Sequence, residues 1–147
     1  MKKIILFISI VLISSCSSTP KLATIDTLTG YWEITAVHAG NTPVKEYNMN
    51  TVIDYFKVDS AATMGYRKKM APRFDGKYTT SDDAQGFTIE KRANDYHITY
   101  THQNSSWTED IIALSSNELT IQTEDKRTYT YKRYTPISIS KDGQAKK

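Results

Sequence analysis

His38, His97 and His102 are the only imidazoles of this 147-residue chain, and Cys16 is its only thiol. Metal binding and nucleophilic chemistry draw heavily on these side chains, so their spacing bounds the chemistry open to the protein. His97 and His102 stand an odd number of residues apart and fall on opposite faces of a regular strand. At most His38 and His102 can converge, and without a His-x-His or a cysteine pair the pattern supplies no metal site. Asp82-Asp83, within TTSDDAQGF, lacks the alternating oxygen ligands of a calcium loop and suits turn chemistry better. The chain has no G-x-S-x-G elbow and no glycine-rich phosphate loop. The expectation is a protein with no catalytic residues, no metal and no cofactor.

Cys16 calls for a different explanation. The chain starts with MKK, continues through an apolar core over residues 4–13, and reaches Cys16 through small residues. That core is too short to span a bilayer as a mature helix, and the order of parts is that of a secretory signal over residues 1–15. Its end, LISSC, resembles the bacterial lipobox, in which the cysteine is diacylated and becomes the mature N-terminus. The resemblance implies a lipidated Cys16 and a membrane partner reached through that anchor. Ser17, where an Asp commonly signals inner-membrane retention, favours the outer membrane of a bacterial envelope. Loss of the leader removes Lys2 and Lys3, lowering the formal net charge of +3 by two. The remaining charges are scattered, with no basic stripe to track a phosphate backbone, so nucleic acid is not an expected partner.

The elements that must position any site are strands. Residues 16–27 are small and polar around Pro20 and read as a tether; residues 136–147 read as a loose tail. Between them, over 28–135, the hydrophobic period is two. In YWEITAVH, Trp32, Ile34, Ala36 and His38 share one face. TVIDYFKV, TMGYRKKM, FTIEKR, YHITYTH, WTEDIIAL, ELTIQT and RTYTYKRY continue the pattern, and RFDGKYTT carries an Asp75-Gly76 turn. Consecutive short strands with short turns predict an all-β fold, an up-and-down antiparallel β-barrel of eight to nine strands. Residues 40–50 form the one long connection, with room for a helical turn, and such loops are more often functional than accidental.

LTGYWEITAV, the long loop after the first strand, and NELTIQTEDKRTYTYKRY together resemble the lipocalins, and more closely the lipocalin-like lipoproteins of the Bacteroidetes. Gly30 allows a tight entry into the first strand, and Trp32 points inward as a large apolar plug. The resemblance implies that Arg133, on the last strand, crosses the Trp32 ring and closes that end. The first strand then runs toward the mouth, with His38 near the rim and the 40–50 loop able to fold over it. Tyr129 and Tyr131 would point inward above the plug, and Tyr96, Tyr100 and His102 form a second same-face set. His38, Tyr96, Tyr100, His102, Tyr129 and Tyr131 are therefore the candidate ligand contacts. An interior of aromatic rings with polar tips suits a small amphipathic or hydrophobic molecule. The alternative is a barrel filled by its own tyrosines, presenting its loops to an envelope protein or glycan.

Overall fold

The computed structural model describes residues 22–80 and 83–136. The leader, Cys16, Asp82 and most of the C-terminal tail lie outside the described residues. Among the described residues the strands are β1 (Gly30–Ala39), β2 (Thr42–Glu46), β3 (Ile53–Val58), β4 (Met64–Pro72) and β5 (Tyr78–Thr80). They continue as β6 (Gln85–Lys91), β7 (Tyr96–His102), β8 (Ser105–Leu114), β9 (Glu118–Thr123) and β10 (Arg127–Arg133). Eight of them close an antiparallel barrel in the order β1-β3-β4-β6-β7-β8-β9-β10, with β10 returning to β1. The all-β, up-and-down antiparallel barrel expected from the alternation is what the chain forms.

β2 and β5 are the two strands outside that ring, and both arise where a barrel strand changes partner. Along one edge, β1 pairs with β3 from Gly30 to Trp32 and then with β2 from Ala36 to Ala39. Likewise β4 pairs with β6 over Met64 to Arg67 and with β5 over Met70 to Pro72. The long connection between the first and third strands thus begins as a hairpin strand, where the sequence allowed a helical turn. Every residue of β2 is exposed and one is Pro43, so no alternation marked it.

One end of the barrel is solid. Trp32, Phe56, Tyr100, Ile98, Ile111, Leu114, Leu119 and Ile121 are almost wholly buried there. A single 3-10 turn (Ile25–Leu28) caps this end, burying Ile25 and Leu28 in the same cluster. Ordered packing reaches back to Leu22, which bridges to Leu114, while Tyr96 donates from its hydroxyl to the Ala23 carbonyl at 3.1 Å. The packed domain therefore starts ahead of residue 28, and part of the expected tether is barrel cap. Gly65 faces inward beneath the Phe87 ring, where any Cβ would collide with that ring and with the Lys57 carbonyl.

A bulge resets the first strand. The β1–β10 register slips between Ile34 and Ala36, so Ile34 opposes Tyr131 and Val37 opposes Tyr129. One extra residue reverses every later side chain. Val37 is buried, and His38 pairs with Thr128 on the outer face. The strict alternation that grouped His38 with Trp32 fails at Thr35.

Several tyrosines also face outward. Tyr31, Tyr55 and Tyr66 alternate with the buried Trp32, Phe56 and half-buried Arg67, and form a ladder across β1, β3 and β4. Tyr78 of β5 stacks on Tyr31 with centroids 4.5 Å apart, clamping the β4–β5 ribbon on the outer wall. These rings serve as barrel wall, as the β preference of tyrosine allows.

Candidate functional site: a mouth with a charged floor

At the closed end the Arg133 guanidinium carbon lies 3.7 Å from the centroid of the Trp32 ring. Its donors all go to main-chain carbonyls: Nε to Ser116 at 3.0 Å, Nη1 to Thr29 at 3.1 Å and Nη2 to Thr27 at 2.6 Å. Trp32 Nε1 donates to the Leu28 carbonyl at 2.8 Å. Gly30 sits beneath this arrangement at φ +134°, and a Cβ there would lie 2.5 Å from Arg133 Nη1. Its lack of a side chain gives the guanidinium its place, beyond easing the entry to the strand. This end is a fastener, filled by buried side chains among the described residues.

The open end holds a pocket of about 910 Å³. Residues 45–52, the end of β2 and its link to β3, form one side, and Ile34, Tyr129, Tyr131, Asp54, Arg67 and Lys69 complete it. The 45–52 segment is tied to the bulge of β1. Tyr47 donates its N–H to the Thr35 carbonyl at 2.9 Å, and Asn50 Nδ2 donates to the Ile34 carbonyl at 2.8 Å and to Glu33 Oε1 at 3.2 Å. The register slip frees carbonyls that this loop then occupies.

Asp54, only 3% exposed, is the centre of the floor. Arg67 reaches both its oxygens, Nε to Oδ1 at 2.9 Å and Nη2 to Oδ2 at 3.1 Å. Lys69 Nζ lies 2.8 Å from Oδ1 and 3.0 Å from Oδ2. Arg67 Nη2 also donates to the Tyr131 hydroxyl at 3.0 Å, and Nη1 lies 3.5 Å from Glu109 Oε2 on the far side. The Arg67 guanidinium rests over Phe56 at 5.1 Å, where the packed core ends. Burial pushes the Asp54 carboxyl up, but Arg67 and Lys69 outweigh it and hold it below the usual value. Burial pushes the Tyr131 phenol up to about 12 despite Arg67, so it stays protonated. Tyr100 is also raised by burial, with Arg67 and Glu109 beside its buried hydroxyl.

Of the residues expected to line a site, Tyr129 and Tyr131 do so. Tyr96 and Tyr100 point inward but are buried in the packed half, Tyr100 stacked on Trp107 at 5.0 Å. His38 faces outward, and His102 is exposed at the end of β7 because the strand has passed the packed interior there. Neither histidine borders the pocket. Of the acidic pair, Asp83 is exposed. Among the described residues no three His, Cys, Asp or Glu side chains gather as a metal site. Asp54, Arg67 and Lys69 went unrecognised, although a signal existed. Asp54 is in phase with Phe56 and Val58, and Arg67 and Lys69 are in phase with Gly65, so charges interrupt two inward faces of adjacent strands.

A family model described as a lipocalin-like domain matches residues 28–121, and the chain belongs to that family. A solved lipocalin-like protein from Bacteroides uniformis is similar at 12% identity, over 74% of this chain and 99% of its own, with a TM-score of 0.44. An uncharacterized protein from Bacteroides eggerthii is similar at 11% identity, over 73% and 99%, with a TM-score of 0.46. No curated protein matches the chain.

Proposed function

We propose that this protein binds a small amphipathic molecule at the mouth of its barrel, as an envelope lipoprotein held by a lipid on Cys16. The observation that carries the binding role is the pocket of about 910 Å³ over a charged floor, within a barrel otherwise packed solid. That volume lies in the usual range for small-molecule sites. The buried Arg67–Asp54 pair supports the reading as well. Ion pairs taken out of water are seldom better for stability than apolar residues of the same size, so a charged layer inside a small barrel points to a use. The role is carriage or sensing, with Lys69 and Asp54 at the floor held as an ion pair. Leu22 enters at the closed end, so a lipid on Cys16 would hold that end to the membrane and point the mouth away.

Native mass spectrometry of the protein purified from its own host tests the binding role. A reproducible small-molecule adduct, lost on denaturation, is the expected result. The competing reading, an interaction module for an envelope protein or glycan, draws on the packed half of the barrel and on exposed Met49, Val52 and Phe74. It would take precedence if no adduct appeared and a Tyr129→Trp variant, whose larger ring narrows the pocket, pulled down the same envelope partner as the wild type.

A further inference from the structure

On the pocket floor the Asp54 carboxylate already accepts three bonds, whereas donors remain. The Asp54 carboxylate takes two bonds from Arg67 and the ammonium of Lys69, which together use its lone pairs on the pocket side. Arg67 directs four of its five N–H donors to Asp54, Tyr131 and Glu109. Lys69 is different. Its side chain is 60% exposed, it borders the pocket, and an ammonium has three donors of which the Asp54 carboxylate occupies one side. The Tyr131 hydroxyl accepts from Arg67, so its own proton is left to donate. The charges bordering the pocket are Lys45, Arg67 and Lys69 against Glu46 and Asp54, an excess of one positive charge. Above the floor the walls turn apolar and aromatic, with Ile34, Met49, Val52, Tyr47 and Tyr129.

From this arrangement we infer that the pocket selects amphipathic molecules with a single anionic head, seated on Lys69 Nζ and the Tyr131 hydroxyl, with the apolar body held between the 45–52 segment and β1. The inference rests on the binding role proposed above and specifies its ligand class. Asp54 and Arg67 act as positioning residues. Their bidentate pair neutralises the buried carboxylate and fixes the Lys69 head over the floor, while the remaining donor capacity of Lys69 and Tyr131 faces whatever enters. A cationic head would meet the Lys69 ammonium and the excess positive charge at the same place. A neutral apolar ligand would leave both donors unpaired as it displaced their water.

Two fluorescent probes of similar aromatic size separate the head from the body. One is anionic, 1-anilinonaphthalene-8-sulfonate, and the other neutral, N-phenyl-1-naphthylamine. Both are titrated into wild type, Lys69→Met, Lys69→Arg and the pocket-filling variant Ile34→Trp. The expected result is that Lys69→Met weakens the anionic probe by about tenfold or more and binds the neutral probe at least as tightly as wild type does. Lys69→Arg should retain most of the anionic affinity, and Ile34→Trp should remove both probes. The unfolding midpoint and circular dichroism of Lys69→Met show separately that the variant has folded. If both probes bind and Ile34→Trp removes them, but Lys69→Met binds the anionic probe as wild type does, the anionic head is overturned and the binding role stands. If wild type binds neither probe, or Ile34→Trp binds both unchanged, the binding role fails and the inference with it.

Discussion

Each end of this barrel lays an arginine over an aromatic ring, and the two arginines do opposite work. Arg133 covers Trp32 at 3.7 Å and spends its donors on the main-chain carbonyls of Thr27, Thr29 and Ser116. Two separate stretches of chain, residues 27–29 and the turn at Ser116, are thereby held beside one neutral, shielded ring. Arg67 covers Phe56 at 5.1 Å and spends its donors on the side chains of Asp54, Glu109 and Tyr131. Its partners are ionised or ionisable groups, held in a polar layer that borders open space. An arginine satisfied by backbone fastens a fold, whereas one satisfied by carboxylates builds an electrostatic surface.

The largest loss of stability is expected at the fastener. Trp32→Ala removes a fully buried indole and should cost about 3–5 kcal/mol in denaturant unfolding. An unchanged midpoint would mean that the closed end does not hold the barrel. At the floor, Arg67→Met leaves the Asp54 carboxylate buried with Lys69 alone and should cost about 3 kcal/mol. The paired change Arg67→Met with Asp54→Leu should recover most of that loss, because apolar side chains of similar size replace both charges. Failure to recover would make the floor a structural element like the fastener. The pair also leaves a signature in pH. Asp54 has a folded pKa below its ordinary value, so its contribution is present above the unfolded value of about 3.9 and is lost as pH falls through the folded one. Acid unfolding of the wild type should show this loss, and the doubly apolar variant should lack it.

Two smaller effects sharpen the contrast. Gly30→Ala places a Cβ against Arg133 Nη1 at a positive φ and should cost about 1–3 kcal/mol, measured by thermal unfolding. In an Arg133→Ala background the collision is gone, and only the backbone strain should remain. Asn50→Ala should cost about 1 kcal/mol or less, since it removes two partly buried hydrogen bonds. Its clearer readout is the 45–52 segment, where amide exchange at Tyr47 should quicken while exchange at Trp32 does not change.

The closed end was far easier to anticipate from sequence than the open one. Trp32, Tyr131 and Arg133 lie in regular alternation on strands whose bounds the pattern marked closely, and Tyr96–His102 and Glu118–Thr123 coincide with their predicted limits. Regular strands obey a period of two, so residues placed by that period can be read. The mouth is built from departures from it. The bulge at Thr35 turns His38 outward, β2 has no buried face, and the loop contacts of Tyr47 and Asn50 depend on carbonyls that exist only after the register slips. Asp54 and Arg67 were within reach, because a charge in phase with apolar neighbours is visible in a strand. Their partnership required knowing which strands lie side by side.

The exchange of partners along β1 has a consequence for how such a pocket can vary. The space at the mouth is not made by shrinking core side chains, since the interior below Arg67 is filled. It opens where β1 passes from β3 to β2, and residues 47–52 bridge the two strands. Width therefore depends on that bridge, and depth depends on the charged layer beneath it. A longer or shorter bridge could refit the mouth to a different molecule while Trp32 and Arg133 kept the same barrel shut.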